Sequence, residues 1–576
     1  AADGNQPPMT LQSAGLSAKG RLEHKAGKDV KVSAEAFTLN VEDSPFYLNT
    51  RSRPWFTAKN HPRRAGVSSF GFGGSNFHVV LEEYRPEKTQ AAWDGSVQIL
   101  AFSADDTQGL AAAIARFKAL AATSLTDAAF AAEAARTRSR FLPSHRYRIL
   151  VVVDDPAAVS GELDHALQAV GSRGDQDFLK LPNLFLGGPA QPEKLAFLFP
   201  GQGSQYAGMG RDLTCLFPAA MAALETANRR FEGDRLLSDF IHPRPGVDPA
   251  EAEIALRATD VAQPAIGMVS LALLRSLQEF GITPDAVAGH SFGELTALCA
   301  AGWMDEETFL DLAIARGKAM AGSGAEDRGA MLAVRAPLAE IEALLERENL
   351  DVVLANRNGP AQAVLSGSRN SIAEAARLCR DNGWPVKDVP VGGAFHSPLM
   401  RDAQATFLKK VLEARIAPTP VTVFSNSTAA PYPPESEAAR QLLGEHLLLP
   451  VDFAGEIEAM YRAGVRTFLE IGPKPVLSGL VASILKGRPF QAIAVDASSG
   501  KRSGALDLAK ALCHLAALGY PVRLSNWESP APEPRPLRMQ LPISGANFRN
   551  PRPEKECRQP AAVSGGRSAQ PGHEDV

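Results

Sequence analysis

A serine held between two glycines, in Gly289-His290-Ser291-Phe292-Gly293, is the residue of this sequence best suited to covalent chemistry. The short, largely apolar run before it, residues 285–288, predicts a strand, and the Ala- and Leu-rich run after it, residues 294–301, predicts a helix. The flanking glycines allow a sharp turn that exposes the Ser291 hydroxyl at the helix N-terminus, where backbone N–H groups stabilise an oxyanion. The pattern is typical of a nucleophile elbow, although the pentapeptide alone also occurs in plain loops.

The Ser291 hydroxyl needs a neighbouring base, because it is a weak nucleophile at its own pKa. Our candidate is His396, which lies in Gly393-Ala394-Phe395-His396-Ser397-Pro398, distal to the elbow. It is one of 11 histidines, and a lone histidine is more often structural than catalytic. The assignment of His396 as the base therefore depends on the surrounding motif.

Two further stretches accompany this pair, and each is ambiguous alone. The glycine-rich loop 199–205 (Phe-Pro-Gly-Gln-Gly-Ser-Gln) follows a predicted strand, Lys194–Phe199, and could be a plain turn. It lacks the Gly-Lys-Ser/Thr ending of a phosphate-binding loop. Arg316, in Ala-Arg-Gly-Lys, could be a solvated charge on a helix. Taken in this order, the four motifs resemble the acyltransferase domain of type I polyketide and fatty acid synthases over residues 195–495.

The resemblance implies a mechanism for the candidate pair. His396 would take the Ser291 proton as the hydroxyl attacks a thioester, while the backbone N–H groups of Gln202 and Phe292 hold the oxyanion. The acyl group would come from an acyl-CoA, malonyl-CoA above all, and pass in ping-pong fashion to the phosphopantetheine thiol of an acyl carrier protein. No cofactor would be bound. A backbone carbonyl near Asp452 would orient the imidazole.

The acyl preference rests on Arg316 and Phe395. A guanidinium matches a planar carboxylate better than an ammonium does, so Arg316 would bind the free carboxylate of a malonyl group. Malonyl-specific members of the resembled family show His-Ala-Phe-His, whereas methylmalonyl-specific members show Tyr-Ala-Ser-His. Here the motif is Gly393-Ala394-Phe395-His396, and Phe395 would crowd an α-methyl branch, so we expect malonyl. Gly393 departs from the usual His, and a pocket discriminates one methyl group by only about 1–3 kcal/mol.

The chain has 576 residues, too many for one core, and we expect several domains. Residues 1–84 resemble the C-terminal part of a ketosynthase, on the motifs of residues 42–50 and 62–82; we predict no fold for residues 1–40. No cysteine precedes Cys215, so this remnant lacks the catalytic cysteine of that family. Residues 85–190 alternate strand and helix signals and resemble the α+β linker between a ketosynthase and an acyltransferase.

The fold class implied for the acyltransferase is α/β. We expect a large α/β-hydrolase-like domain with a parallel sheet over residues 191–329 and 397–500. Residues 330–396 show the order β-α-β-β-α-β, which predicts an inserted ferredoxin-like subdomain. Helix is predicted between Leu442 and Tyr461, inside the large domain.

The C-terminal part follows the large domain in two predicted segments. Residues 501–552 begin with a helix, residues 506–518, and end in a stretch, residues 541–548, that resembles the segment after the acyltransferase of iterative and polyunsaturated-fatty-acid synthases. Residues 553–576 are rich in Gly, Ser, Pro and charge, which predicts a disordered linker.

Composition narrows the functional classes. The hydrophobic content of 45% and the charged content of 22% are ordinary for a globular protein, and the net charge of −4 gives no reason to expect nucleic-acid binding. The five scattered cysteines predict neither disulfides nor a metal site. We expect a cytoplasmic protein without membrane contact. The chain begins Ala-Ala-Asp-Gly, without an initiator Met, and we expect a fragment of a longer synthase.

Two other functions remain open at this point. A serine hydrolase or thioesterase of the α/β-hydrolase type would also carry the elbow, but it would need an acid between Ser291 and His396 in the chain. The predicted ferredoxin-like insert and Arg316 argue against it. A non-catalytic scaffold segment of a megasynthase is the second alternative.

Overall fold

The computed structural model describes most of the chain beyond its first fifty residues. The described ranges are 51–57, 61–69, 76–84, 89–123, 126–171, 181–322 and 328–528, with residue 49 and the backbone of three strands nearer the N-terminus. The predicted segments 541–548 and 553–576 lie outside these ranges. Within the described ranges, no helix combines the length and the apolar character needed to cross a bilayer.

The chain divides into two units, one of residues 1–59 and 87–531 and one of residues 60–86 and 532–576. The described part of the smaller unit is an antiparallel hairpin of β4 (Arg64–Ser69) and β5 (Phe77–Glu82). The prediction that residues 78–82 form a strand is confirmed. In the larger unit, residues without a fold prediction form an antiparallel meander of β1 (Met9–Ser13), β2 (Leu16–Glu23) and β3 (Lys31–Leu39).

A small α+β layer precedes the large domain, as predicted for this region. Its antiparallel sheet has the order β6-β7-β8, and three helices cover one face. The elements are β6 (Gln98–Ala104), α1 (Thr107–Ala121), α2 (Asp127–Arg140), β7 (Tyr147–Val153), α3 (Val159–Gly171) and β8 (Leu184–Gly187). The apolar β7 run is almost wholly buried, which is why a short Val- and Ile-rich segment forms a central strand.

The large domain is built on a six-stranded sheet of order β16-β15-β10-β9-β17-β18. All neighbouring strands are parallel except the two-residue edge strand β16. The strands are β9 (Lys194–Phe199), β10 (Ala286–Gly289), β15 (Thr422–Ser425), β16 (Ala430–Pro431), β17 (Val465–Glu470) and β18 (Gln491–Ala494). The predicted α/β class with a parallel sheet is confirmed. Because β9, β10 and β17 are parallel neighbours, their carboxyl ends meet at one edge.

Helices cover both faces of this sheet. They are α4 (Arg211–Leu216), α5 (Pro218–Arg230), α6 (Leu237–Ile241), α7 (Pro249–Arg257), α8 (Thr259–Gln278), α9 (Phe292–Ala300), α10 (Glu306–Gly322), α13 (Arg401–Glu413), α14 (Ser436–Glu445), α15 (Phe453–Arg462), α16 (Val476–Ile484) and α17 (Gly504–Leu518). Helix α8 is apolar nearly all round and buried along almost its whole length, so it forms the centre of the core beneath the elbow.

The inserted subdomain has the predicted strand-and-helix order. Its elements are β11 (Ala330–Val334), α11 (Leu338–Arg347), β12 (Val352–Gly359), β13 (Gln362–Gly367), α12 (Arg369–Asp381) and β14 (Val386–Asp388). The sheet order is β12-β13-β11-β14, antiparallel throughout, which is the ferredoxin-like arrangement. Its separate apolar core lies between the sheet and the two helices.

The helix predicted between Leu442 and Tyr461 is interrupted. Helix α14 ends at Glu445 and α15 begins at Phe453, with irregular backbone between them. Pro450 has no N–H to donate and disfavours helical backbone in Leu449, the residue before it. The Asp452 side chain then caps α15 by accepting from the Gly455 N–H at 3.0 Å. The Leu- and Ala-rich pattern on either side of the break is typical of a continuous helix, which is why the sequence predicts one.

Candidate active site

Ser291 occupies the turn between β10 and α9, as the sequence predicted. Its backbone angles are φ 52° and ψ −110°, an unfavourable conformation for a residue with a Cβ atom. Neither Gly289 nor Gly293 can be replaced by a residue with a Cβ atom unless the surrounding backbone moves. A Cβ on Gly289 would lie 2.0 Å from the Gly293 carbonyl carbon, and a Cβ on Gly293 would lie 1.9 Å from the Phe199 oxygen. The turn is therefore packed tightly against the end of β9.

His396 lies beside Ser291, although it comes from the loop after the inserted subdomain. The Ser291 Oγ is 2.8 Å from His396 Nε2, and the imidazole is almost fully buried. On the other side of the ring, Nδ1 faces the backbone carbonyls of His446 and Leu449, both at 3.0 Å. Carbonyls only accept, so the proton resides on Nδ1, and Nε2 is free to accept the serine proton.

The carbonyls that hold the imidazole lie earlier in the chain than expected. The resemblance implies a carbonyl near Asp452, whereas the acceptors belong to His446 and Leu449, in the break between α14 and α15. The irregular backbone favours these contacts, because a carbonyl outside a continuous helix is not bonded to an N–H four residues on. Asp452 serves instead as the cap of α15.

The surroundings of His396 favour its neutral form. Burial, and then the charge of Arg316, lower the pKa of His396 to about 3, and its hydrogen bonds to the two carbonyls offset only part of this shift. A neutral imidazole at physiological pH is the form that can accept a proton.

Arg316 extends from α10 to the same serine. Its Nη2 lies 3.4 Å from Ser291 Oγ, its Nε donates to His446 Nε2 at 3.0 Å, and its Nη1 contacts the Met320 sulfur at 3.3 Å. The side chain is buried, and within the described part of the chain it forms no ion pair with a carboxylate. Burial lowers the pKa of Arg316 to about 9, partly offset by Glu294, so the guanidinium stays charged near neutrality.

The glycine-rich loop after β9 lies against the elbow. A Cβ on Gly201 would be 2.3 Å from the His290 carbonyl oxygen and 3.5 Å from the Phe292 nitrogen, so Gln202 and Phe292 belong to adjoining backbone segments. The Gln202 side chain turns away to Thr259, whose hydroxyl accepts from Nε2 at 3.2 Å. Only the backbone N–H of Gln202 is therefore a candidate donor to a reacting group.

Phe395 directly precedes His396 and is largely buried in the core of the large domain. Gly393 lies next to it, and a Cβ at this position would stand 3.2 Å from the Arg328 carbonyl oxygen and 3.3 Å from the Met400 methyl carbon. The glycine therefore occupies a site with little room for the histidine found in the resembled motif.

Two residues of the site were missed in the sequence. His446 contacts both Arg316 and His396, and the amide side chain of Asn426 accepts from the Ser291 N–H at 2.5 Å. Asn426 directly follows β15, the parallel neighbour of β10, so its nearness to the elbow follows from the sheet order alone. A further contact joins the elbow to the inserted subdomain, because His290 Nε2 lies 2.7 Å from Asn358 Oδ1 on β12.

Comparison with known sequence families gives two matches. Residues 196–503 match the family described as acyl transferase domain, and residues 38–152 match the ketoacyl-synthetase C-terminal extension. The second match spans parts of both the predicted ketosynthase remnant and the linker.

Curated relatives fall into long synthases and short transacylases. The chain is 31% identical over 521 residues to a polyunsaturated fatty acid synthase polypeptide of Thraustochytrium sp., covering 85% of the chain and 18% of that protein. It is 40% identical over 311 residues to the malonyl CoA-acyl carrier protein transacylase of Bacillus subtilis, covering 53% of the chain and 93% of that protein. In four long relatives, the Thraustochytrium synthase and three others, the chain spans only 7% to 22% of the relative's length.

Solved structures agree with the sequence matches. The acyltransferase domain from the second module of the salinomycin polyketide synthase aligns with a TM-score of 0.56 at 29% identity, over 74% of this chain and 93% of that one. The acyltransferase domain from module 8 of the same synthase aligns with a TM-score of 0.63 at 24% identity, over 75% and 98%, and supports the fold alone.

The fold and the matched relatives define an acyltransferase of the transacylase type found in polyketide and fatty acid synthases. The chain belongs to the acyl transferase domain family, and it carries a ketoacyl-synthetase C-terminal extension before that domain.

Proposed function

We propose that this acyltransferase moves a malonyl group from malonyl-CoA to the phosphopantetheine thiol of an acyl carrier protein, through an acyl-Ser291 intermediate. The class of reaction follows from the family, and the Bacillus subtilis relative bears the name of such a transacylase. The reaction requires a nucleophile, a base, an oxyanion site and a partner for the malonyl carboxylate. One side chain in this site suits each of the other three roles, and two backbone N–H groups suit the oxyanion site.

In the first half-reaction, the Ser291 Oγ attacks the thioester carbonyl as its proton passes to His396 Nε2, at the 2.8 Å contact. The tetrahedral oxyanion accepts from the backbone N–H groups of Gln202 and Phe292. The carbon–sulfur bond then breaks, and His396 returns the proton to the departing CoA thiolate. The product is the serine ester, and no external co-reactant is needed.

The second half-reaction reverses the first with a different thiol. The phosphopantetheine sulfur attacks the Ser291 ester as its proton passes to His396 Nε2. Collapse of the new oxyanion breaks the ester bond and returns the proton to the Ser291 oxygen. Because His396 is held by two carbonyls, its Nδ1 proton stays fixed through both halves.

The main support for malonyl as the transferred acyl group is the environment of Arg316. A buried guanidinium lies 3.4 Å from the nucleophile, without a hydrogen-bonded carboxylate in the described residues, and the nearby Glu294 offsets the effect of its burial only in part. A malonyl carboxylate would supply a directly bonded negative charge through charge-assisted hydrogen bonds. Phe395, next to the base, supports malonyl over branched analogues because its ring would crowd an α-methyl group.

Intact-mass spectrometry on the whole chain tests this function. The chain is exposed separately to malonyl-CoA, acetyl-CoA and methylmalonyl-CoA, and Ser291→Ala serves as the control. We expect rapid formation of one malonyl adduct per chain, slower formation of the other adducts, and none on Ser291→Ala. Addition of a phosphopantetheinylated carrier protein should then move the malonyl mass to the carrier.

The same experiment separates the alternatives. Release of free malonate without an acylated carrier would support a hydrolase, and the absence of any adduct would support a scaffold segment. A preference for acetyl-CoA would retain the acyltransfer reaction but overturn the role of Arg316.

We also propose that the carrier protein and a ketosynthase are partners of this domain within a larger synthase. The ketoacyl-synthetase extension at residues 38–152 and the long relatives support this arrangement. A cytoplasmic location remains our prediction. Faster transfer of the malonyl group to a carrier domain from such a synthase than to an unrelated carrier protein would support the partnership, and equal transfer to both would contradict it.

A further inference from the structure

Asn426 is a buried amide that contacts the elbow from outside the set of groups required for acyl transfer. It follows β15, is 2% exposed, and directs both atoms of its carboxamide at the turn that carries the nucleophile. We propose that Asn426 is a positioning residue that holds the strained Ser291 backbone in its reactive conformation. The inference rests on the proposed role of Ser291 as the acylated residue.

The carboxamide of Asn426 bridges the turn. Its Oδ1 accepts from the Ser291 N–H at 2.5 Å, and its Nδ2 donates to the Gly289 carbonyl oxygen. These two backbone groups lie on either side of His290, so the amide spans the bend that β10 makes before α9. A two-point contact of this kind restrains the peptide on the N-terminal side of Ser291 in both position and rotation.

The orientation of Asn426 is itself fixed by its neighbours. Its backbone N–H donates to Glu294 Oε2 at 2.8 Å, and its backbone carbonyl accepts from the Asp452 N–H at 2.9 Å. The Nδ2 group also lies 3.1 Å from Glu456 Oε2. Acceptors therefore surround the amide nitrogen, whereas Oδ1 faces the Ser291 donor. The assignment of the two amide atoms follows from this set of partners.

The turn needs such a restraint, because its conformation is unfavourable. A non-glycine residue in a sparsely populated backbone region costs about 1–3 kcal/mol, and persists only where its surroundings hold it. If the restraint is lost, Ser291 can relax and carry its Oγ away from His396 Nε2. A misplacement of about 1 Å at a reacting atom can cost on the order of a hundredfold in rate.

Ser425 provides a matched control, one residue earlier in the chain. It is as deeply buried as Asn426, and its hydroxyl hydrogen-bonds to Glu294 Oε1 at 3.4 Å. Among the described residues, its side chain forms no hydrogen bond with residues 289–291. Ser425→Ala therefore removes two hydrogen bonds from the same region, one to Glu294 and one from the Ser427 N–H, without releasing the turn.

The test measures single-turnover acylation of Ser291 by malonyl-CoA and by acetyl-CoA, together with the final stoichiometry of the adduct. For Asn426→Ala we expect acylation to be about ten- to a hundredfold slower with both donors. The final stoichiometry of the adduct should equal that of the chain without the substitution. Both donors should slow equally, because the restraint acts on the nucleophile and not on the acyl carboxylate. Ser425→Ala should stay within about threefold of the unmodified rate.

Partial stoichiometry at the unmodified rate would overturn the proposal, since it would mean a smaller folded fraction without a change in the site. An unchanged Asn426→Ala rate would also overturn it. Acylation of the unmodified chain in the same assay tests the proposed function separately.

A second variant covers the case in which Asn426→Ala does not fold. Asn426→Asp keeps the shape and, when protonated, can both accept from Ser291 and donate to Gly289; when ionised, it can only accept. Because Glu294 and Glu456 lie beside it, the new carboxyl should protonate more readily than an exposed one. We expect its acylation rate, relative to the unmodified chain, to rise as the pH falls from 8 to 5.5. A ratio that does not change with pH would overturn the proposal.

Discussion

The ring of His446 accepts a hydrogen bond from Arg316, with 3.0 Å between Nε2 and Nε. The backbone carbonyl of the same residue accepts from His396 Nδ1, also at 3.0 Å. One residue in the irregular segment between α14 and α15 thus fixes both the proposed base and the proposed carboxylate-binding group. Because the two contacts use different parts of His446, substitutions of its side chain can separate them.

Replacing His446 should therefore affect the two substrates differently. His446→Ala removes the acceptor for Arg316 but keeps the backbone carbonyl that holds His396. We expect the KM for malonyl-CoA to rise about tenfold, with kcat for acetyl-CoA within about threefold of the unmodified value. Steady-state transfer to a carrier protein measures both. His446→Gln offers a new acceptor and should restore much of the malonyl affinity; equal losses for both substrates would contradict this separation.

Removing the guanidinium itself should change selectivity more strongly. A hydrogen bond to a charged group contributes about 1.5–3 kcal/mol, so Arg316→Ala should lower kcat/KM for malonyl-CoA relative to acetyl-CoA about ten- to a hundredfold. Competition between the two donors, read by intact mass, gives the ratio directly. Arg275→Ala is the control, because Arg275 forms an exposed pair with Glu306 on the same domain. An equal loss for both donors would refute the role of Arg316 in binding the carboxylate.

The pH dependence of acylation follows from the environment of His396. In the proposed mechanism the neutral imidazole is the base, and burial and the nearby Arg316 charge lower the pKa of His396 to about 3. Protonation would therefore switch the base off only well below pH 5. We expect single-turnover acylation to change less than about threefold between pH 8 and pH 5.5. A fall with a midpoint near the ordinary histidine pKa of about 6.5 would contradict the burial of this base. Circular dichroism at each pH checks that the fold persists.

The α-methyl preference can be tested at Phe395. Phe395→Ser should create space beside the base and raise the ratio of methylmalonyl to malonyl loading. One methyl group corresponds to about 1–3 kcal/mol in a pocket, or roughly ten- to two-hundredfold in specificity. Competition between the two CoA esters measures the change. Phe280→Leu, at a buried ring that packs on Phe217 and Trp527, is the packing control and should leave the ratio unchanged. An unaltered ratio in Phe395→Ser would place the selectivity elsewhere.

The packing of the elbow predicts contrasting effects for two glycines. Gly293→Ala would drive its Cβ to 1.9 Å from the Phe199 oxygen, whereas a Cβ on Gly479 meets nothing within 4 Å. We expect Gly293→Ala to destabilise the domain by about 1–3 kcal/mol or more and to lose acylation. Gly479→Ala, inside α16, should stabilise it by about 1 kcal/mol, because alanine favours helix. Urea unfolding gives both values, and equal midpoints would contradict the packing described here.

Local sequence patterns are enough to predict an element whose structure depends mainly on its own residues. The apolar run Lys194–Phe199 forms a strand with those same bounds, and the elbow follows β10 as its glycines required. The order of strands and helices in residues 330–396 likewise predicts the inserted ferredoxin-like subdomain, and the sheet order agrees with it.

The contacts of His446 and Asn426 could not be predicted in this way. Asn426 lies 135 residues from Ser291 in the chain, and their contact depends on β10 and β15 being parallel neighbours. The helix predicted between Leu442 and Tyr461 includes His446, and Pro450 is the residue of this stretch that signals a break. Both side chains act through partners brought near by the fold, and neither carries a motif of its own.

Ser291 and His396 share one backbone feature, a positive φ of 52° for the serine and 57° for the histidine. Each residue therefore sits in a conformation that an isolated peptide would seldom visit, and the folded chain maintains both at once. The 2.8 Å contact between Ser291 Oγ and His396 Nε2 is part of this folded arrangement. Folding itself therefore brings the two side chains together, and in the proposed mechanism a thioester would meet a serine and a histidine that are already in contact.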